Sequence, residues 1–245
     1  MQHYGLIGYP LGHSFSKRFF NEKFENELID AFYESYPIES IQQFGELIEA
    51  VKLNGLSVTI PYKEQVIPFL DKLDNSAAEI GAVNVIKFIR NKNSLTLKGF
   101  NTDAVGFENS LRPYLQPHHT KALILGTGGA SKAIKFVLQK LGITVLFVSR
   151  TAADGRITYS DLNKQIIDDF TLIVNASPVG TFPNIDQCPA IPYQFLTNKH
   201  LLFDVVYNPA ETLFLKKGRE NGAVGLNGER MLVEQAVAAW KIWNE

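Results

Sequence analysis

Lys63 closes the stretch Gly55-Leu-Ser-Val-Thr-Ile-Pro-Tyr-Lys63, an apolar strand that runs into a proline and then a helix. An ammonium at such a corner is costly to desolvate unless it is paired. Further along, Gly99-Phe-Asn-Thr-Asp103 sets a carboxylate in the first turn of a helix, where the dipole favours the ionised form. Taken singly, Lys63 reads as a surface lysine and Asp103 as an ordinary helix-start acid. Taken together, they read as a pair for carbonyl reduction. Hydride arriving at carbon builds negative charge on oxygen, and a positioned group must give that oxygen a proton. An ammonium beside a carboxylate keeps its proton available, while desolvation works the other way.

A hydride needs a carrier, and Leu125-Gly-Thr-Gly-Gly-Ala-Ser131 offers a place for one. It follows the apolar run at 122–125 and precedes a helix whose inner face is Ala133, Ile134, Val137, Leu138 and Leu141. Glycines there let the backbone approach a pyrophosphate, and the helix N-terminus supplies free N–H groups. The spacing is G-x-G-G-A, not the usual G-x-G-x-x-G, so the strand-loop-helix context carries the reading. Gly126, Gly128, Gly129 and Ala130 are the expected contacts. The next strand ends in Ser149-Arg150-Thr151, with no carboxylate before Asp154. A guanidinium between two hydroxyls suits a 2′-phosphate and so NADP; a plain surface arginine is the alternative.

A third cluster is Gly8-Tyr-Pro-Leu-Gly-His-Ser-Phe-Ser-Lys17. Ser14 and Ser16 sit where strand gives way to helix, and two hydroxyls beside unpaired helix N–H groups can receive a carboxylate. A simple N-cap would explain one of them. His13 reads as structural, and His118-His119 as solvated linker histidines without the further ligands a metal needs. Asn175-Ala-Ser177 follows a buried run and precedes Pro178, which argues against its use as a glycosylation site.

The elements that must hold these residues alternate between short apolar strands and amphipathic helices, the pattern of an α/β fold. Strands are expected at 4–7, 32–36 and 56–59, with a hairpin from 84–89 to 95–100. Helices are expected at 16–28, about 41–51 and about 102–115. Residues 116–120 form the best candidate linker. A second strand series follows at 122–125, 144–148, 172–175, 201–205 and 223–226, and a strong helix at 229–243 ends the chain. The expected architecture is two α/β domains with a cleft between them: 1–103 with 230–245 for substrate, and 104–229 as a Rossmann-like NADP domain.

The whole chain sets bounds on function. Its 245 residues suit one large or two modest domains, and a net charge of -1 gives no basic field for nucleic acid or anionic membrane. Cys188 is the single cysteine, so no intrachain disulfide forms, as befits a reducing cytoplasm. Neither a signal peptide nor an apolar run of about 20 residues stands out. A cytoplasmic enzyme acting on small molecules, without a metal, is the expected class.

Nine segments in series carry a resemblance to the shikimate dehydrogenase family: GYPLGHSFSK (8–17), GLSVTIPYK (55–63), IGAVNVI (80–86), GFNTDAVGF (99–107), LGTGGASKA (125–133), SRT (149–151), NASPVGT (175–181), DVVYNP (204–209) and NGERMLVEQA (227–236). The resemblance implies NADPH-dependent reduction of 3-dehydroshikimate to shikimate, on the route to chorismate and aromatic amino acids. It makes Lys63 and Asp103 the catalytic pair. It implies that Ser14, Ser16 and Tyr207 hold the ring carboxylate with Thr59 close by, and that Asn84 and Gln235 bond ring hydroxyls. Asn175, Ser177, Val205 and Gly228 would line the nicotinamide half of the groove, with Ser149, Arg150 and Thr151 at the other end. The chain departs from the family at Ser57, where an asparagine is usual, and at Ser149. A monomer and a homodimer are both compatible with it.

Two rival readings stay open: an NAD-using quinate/shikimate dehydrogenase, and a dinucleotide sensor without turnover. Arg150 separates the first of these. Arg150→Ala is expected to weaken NADP⁺ by at least about tenfold, the cost of one charge-assisted bond, and NAD⁺ hardly at all. Titration with both nucleotides checks this, and an equal loss for the two removes the phosphate argument.

Overall fold

In the first part of the chain the alternation becomes β1 (Gln2–Gly8), α1 (Phe15–Asn26), β2 (Ala31–Pro37), α2 (Phe44–Ala50), β3 (Gly55–Val58), α3 (Tyr62–Gln65), β4 (Lys72–Leu73), α4 (Asn75–Ile80), β5 (Val85–Asn91), β6 (Ser94–Phe100) and α5 (Asp103–Leu111). The structure, a computed structural model, describes residues 1–12, 14–92 and 94–245. His13, and Asn93 of the expected hairpin turn, lie outside the described residues. The chain divides into two compact units, Met1–Val105 with Gln235–Glu245, and Gly106–Glu234.

The sheet of the first unit has the order β2-β1-β3-β5-β6-β4. β1 runs parallel to β2 and β3, whereas β5 is antiparallel to β3 and β6. The carboxyl ends of β1, β3 and β6 therefore meet the amino end of β5 along one edge, with Ile7 opposite Val58, Ser57 opposite Val85, and Val85 opposite Phe100. Side chains alternate across the sheet as strand geometry demands. Ile7, Leu56, Val58 and Ile86 join a core on one face. Tyr4, Leu6, Tyr33 and Val85 join another with Phe20 and Phe24 of α1. Trp243, near the end of the last helix, completes that second core: its ring lies 5.0 Å from Tyr4 and 5.2 Å from Phe20, and its Nε1–H donates to the Ile86 carbonyl at 3.1 Å.

The second unit continues with β7 (Lys121–Leu125), α6 (Gly129–Lys140), β8 (Thr144–Ser149), β9 (Arg156–Thr158), α7 (Lys164–Asp169), β10 (Leu172–Asn175), β11 (Leu201–Asp204), α8 (Leu213–Glu220) and β12 (Val224–Leu226); α9 (Glu229–Asn244) spans its end and the return to the first unit. Its sheet order is β12-β11-β10-β7-β8-β9, with every neighbouring pair parallel. Counted from β9, this is the 3-2-1-4-5-6 order of the Rossmann fold. β7, β10 and β11 are buried almost throughout, which is why they read as continuous apolar runs.

Two expectations need correction. The 116–120 loop is not a boundary: the units divide at Val105/Gly106, inside α5. Its histidines tie that loop into the second unit, since His118 Nε2 and His119 Nε2 lie 2.9 and 3.1 Å from the Lys199 carbonyl. His119 is not solvated either. It is buried, and the Gln116 N–H donates to its Nδ1 at 2.9 Å, which leaves Nε2 as the protonated nitrogen of a neutral ring. Burial accordingly lowers its pKa from the ordinary 6.5.

Gly55 is the tightest test of this packing. A Cβ there would stand 2.4 Å from Trp243 Nε1 and 2.5 Å from its Cδ1, whereas one at Gly45 would meet nothing within 4 Å. Gly55→Ala is expected to lower unfolding free energy by about 1–3 kcal/mol through overpacking, and Gly45→Ala, in a helix, to raise it by about 0.5–1 kcal/mol. Urea titration measures both; similar effects at the two sites rule out the indole as the cause.

Candidate active site

Along the shared edge of the first sheet, short connections leave little freedom to the side chains they carry. Val58 N–H bonds the Asn84 carbonyl at 2.8 Å and Asn84 N–H bonds the Phe100 carbonyl at 3.1 Å, so β3, β5 and β6 deliver residues 59–63, 84 and 101–103 to one place. Asn101 starts α5 by accepting from the Ala104 N–H at 3.2 Å while its amide holds the Ala82 carbonyl at 2.9 Å. Asp103 then points at Lys63, and Nζ lies 2.6 Å from Oδ2. The two side chains retain 15% and 6% of their exposure, so the pair is largely withdrawn from water, where a charge-assisted bond is strongest.

Asn84 organises this pair. Its Nδ2 lies 2.9 Å from Asp103 Oδ1, 3.0 Å from Thr102 Oγ1 and 3.0 Å from Gln235 Oε1. Its own Oδ1 accepts from the Thr102 N–H at 2.7 Å. An amide has two hydrogens, so three acceptors share them. Asn84 and Gln235, read as ligands for ring hydroxyls, are here bonded to each other, and Asn84 also to the carboxylate.

Ser14 is the N-cap of α1, with Oγ accepting from the Lys17 N–H at 3.2 Å. Ser16 lies in the first turn. Beside it is a residue that sequence reasoning missed. Tyr33 of β2 is 1% exposed, and its hydroxyl is flanked by Ser16 and Ser57 without completing a bond to either. Among the described residues only this hydroxyl and His3 Nδ1 are buried side-chain polar atoms lacking a partner. Burial drives the Tyr33 pKa well above 10. Thr59 is held by its N–H to the Ile7 carbonyl at 2.9 Å, and its methyl fills the space a Cβ on Gly8 would take. Tyr207 lies in the second unit, in the stretch after β11, and is 39% exposed.

The other candidate residues lie at or just past the carboxyl ends of parallel strands in the second unit: Gly126–Ala130 after β7, Ser149 ending β8 with Arg150 and Thr151 after it, Asn175 ending β10 with Ser177 after it, Val205 after β11, and Gly228 after β12. Gly126 has φ +105, and a Cβ there would stand 3.1 Å from that of Ser177, so these two segments touch only because glycine is present. Gly128 caps α6 with no side-chain bond, and the first turn holds no acid, which leaves the N–H groups to an anion. Arg150 is exposed, while Ser149 is buried. At Gly228 a Cβ would stand 2.2 Å from the Val205 carbonyl oxygen. A glycine cradle, a bare helix N-terminus and an exposed guanidinium past the second strand fit a phosphorylated dinucleotide. Among the described residues no group of three or more His, Cys, Asp or Glu is placed to hold a metal, and no helix is long and apolar enough to cross a membrane.

A Rossmann-order unit joined in one chain to a second α/β unit with a buried ammonium–carboxylate pair defines the class of two-domain, dinucleotide-dependent dehydrogenases. Residues 6–86 match the shikimate dehydrogenase substrate binding domain. The shikimate dehydrogenase (NADP(+)) of Clostridium beijerinckii is 38% identical, with 100% of this chain and 93% of that protein covered. The crystal structure of shikimate dehydrogenase from Aquifex aeolicus superposes with a TM-score of 0.87 at 34% identity, covering 99% of this chain and 92% of that one. A shikimate 5-dehydrogenase of Thermus thermophilus, in complex with NADP(H) and shikimate, gives 0.86 at 28% identity, covering 99% and 93%. The chain belongs to the shikimate dehydrogenase family.

The unpartnered Tyr33 hydroxyl makes a stability prediction. Removing a buried, unsatisfied polar group relieves a penalty, so Tyr33→Phe is expected to be neutral or to stabilise by up to about 1 kcal/mol. Thermal and urea unfolding measure it. A clear loss of stability means that Ser16 or Ser57 does bond the phenol in solution.

Proposed function

We propose that the chain catalyses the reversible NADPH-dependent reduction of 3-dehydroshikimate to shikimate. The observation that carries this reading is the Lys63–Asp103 pair, 2.6 Å apart and mostly withdrawn from water, at the carboxyl edge of its sheet. The first unit serves as the substrate domain, in the sense of 1–103 with 230–245, and 104–229 serves as the NADP domain.

When bound, the reduced nicotinamide supplies a hydride to the carbonyl carbon. Lys63 Nζ gives its proton to the carbonyl oxygen as charge builds there. Asp103 steadies the ammonium through Oδ2 and accepts from the substrate's neighbouring hydroxyl, while Asn84 fixes its other oxygen. Ser14, Ser16 and Tyr207 receive the ring carboxylate, with Thr59 beside it. Gln235 and Asn84 exchange part of their mutual bonding for ring hydroxyls. Holding the ring and the donor in one orientation supplies much of the rate by making the encounter effectively intramolecular. Arg150 with Ser149 and Thr151 takes the 2′-phosphate, and the lack of a carboxylate there supports NADP over NAD. A single cysteine and small-molecule substrates suit a cytoplasmic setting.

Lys63→Ala is expected to lower kcat by about 10²–10⁴ with KM for shikimate changed little, because proton transfer belongs to the transition state. Absorbance of NADPH formed from shikimate and NADP⁺ reads both constants. Turnover within a fewfold of the wild type excludes Lys63 as the acid. No NADPH formation by the wild type excludes the activity itself and favours the sensor.

A further inference from the structure

At the carboxyl ends of β10 and β11 one carboxylate gathers the segments around it. Asp204, the last residue of β11, is fully buried. Its Oδ1 accepts from Asn175 Nδ2 at 2.9 Å and from the Val206 N–H at 3.0 Å; its Oδ2 accepts from the Thr212 hydroxyl at 2.6 Å. Each donor has a second task. Asn175 turns its own oxygen to Ser177, accepting from the N–H at 3.1 Å and from the hydroxyl at 2.6 Å. Val206 offers its carbonyl to the Gly228 N–H at 3.1 Å. Thr212 caps α8 by accepting from the Leu215 N–H at 3.3 Å. The two loops are tied once more by Phe182 N–H to the Asn208 carbonyl at 3.0 Å.

Packing alone would favour an apolar residue here, because a buried carboxylate costs several kcal/mol in desolvation. We propose that Asp204 is the positioning residue for the nicotinamide half of the NADP groove, holding Asn175 with Ser177, Val205 and Gly228 in the arrangement that receives it. The adenosine half is left to Gly126–Ala130 and Arg150. This rests on the NADP reading above, and it adds a residue that never touches the cofactor.

The charge state of Asp204 supplies a handle. Burial pushes its pKa up to about 6, against the bonds from Thr212, Val206 and Asn175, which lower it. Above that value the ionised group accepts all three donors. Below it, one oxygen carries a proton and one of the three donors loses its acceptor. Protonation does not weaken the fold through this group: its folded pKa exceeds the ordinary 3.8, so its contribution to stability rises as pH falls from about 6 to about 4. The titratable group facing it is Tyr193, with Cys188 beside that ring; burial raises the Tyr193 phenol well above 10, so it stays neutral in this window.

The test measures, by calorimetry on the full chain, the affinity for NADP⁺ and for 2′,5′-ADP, which lacks the nicotinamide half. Asp204→Asn is expected to weaken NADP⁺ about tenfold and 2′,5′-ADP less than about twofold, the loss expected of a broken buried hydrogen-bond set. Between about pH 7.5 and 5.5 the ratio of NADP⁺ affinity to 2′,5′-ADP affinity falls in the wild type relative to the same ratio in the variant, and parallel profiles overturn the role of the Asp204 charge. The 2′-phosphate of both ligands and the 5′-phosphate of 2′,5′-ADP also titrate near 6, but these ligand ionisations are the same for wild type and variant and cancel when the two proteins are compared. Should Asp204→Asn not fold, Thr212→Val, which deletes the 2.6 Å bond together with the α8 cap to Leu215, shows the same selective loss at about threefold. Equal losses for both ligands, or unchanged NADP⁺ affinity in the variants, overturn the positioning role. A wild type that binds neither ligand overturns the NADP reading, and this inference with it.

Discussion

An asparagine amide with two hydrogens and three acceptors holds the first unit's chemistry together. Asn84 is 3% exposed, so its amide cannot turn to water for partners. Its bonds reach Thr102 and Asp103 at the start of α5 and Gln235 in α9, elements that meet only in the folded chain. The oversubscribed donor keeps Asp103 Oδ1 engaged and leaves Oδ2 aimed at Lys63. A fourth acceptor, such as a substrate hydroxyl, would enter by displacing one of those present, which gives the site an exchangeable contact at little reorganisation cost. Removing one partner would leave a buried carboxylate under-satisfied, which costs more than the bond itself contributes.

The same economy recurs around Asp204 in the second unit. There too a buried carboxylate accepts from an asparagine, but it ends a strand where Asp103 starts a helix, and its other donors are a threonine hydroxyl and a backbone N–H. The difference lies in the counter-charge. Asp103 faces an ammonium 2.6 Å away, while three neutral donors surround Asp204, and burial lifts its pKa to about 6.

Specificity within the family is open at one point of this chain. Ser57, where an asparagine is usual, lies beside the buried Tyr33 hydroxyl, with Ser16 on its other side. Both serines stand beside the phenol, yet its hydroxyl has no hydrogen-bond partner.

Much of the fold was legible in the residues alone. The apolar runs of β7, β10 and β11 and the glycine turn before α6 announce a parallel sheet because strands buried on both faces admit little but aliphatic side chains. Lys63 stood out because an ammonium is costly where the local pattern sets it, the glycine loop because it joins an apolar strand to a helix, and Asp103 only when taken together with Lys63. β4 and β9 were not, since two or three residues carry no period. Nor was the burial of His119, which depends on a carbonyl supplied by Lys199, 80 positions along the chain. Nor was the place of the Tyr33 hydroxyl legible, because an aromatic in a strand gives no sign of what its hydroxyl will meet. Local sequence thus determined the kinds of element and the residues able to do chemistry, for these follow from backbone preference and the cost of desolvating charge. Which carboxylate meets the ammonium, which amide is shared and which hydroxyl goes unpaired were decided only by tertiary structure, because hydrogen-bond partners are settled by distance and angle among groups far apart in the chain.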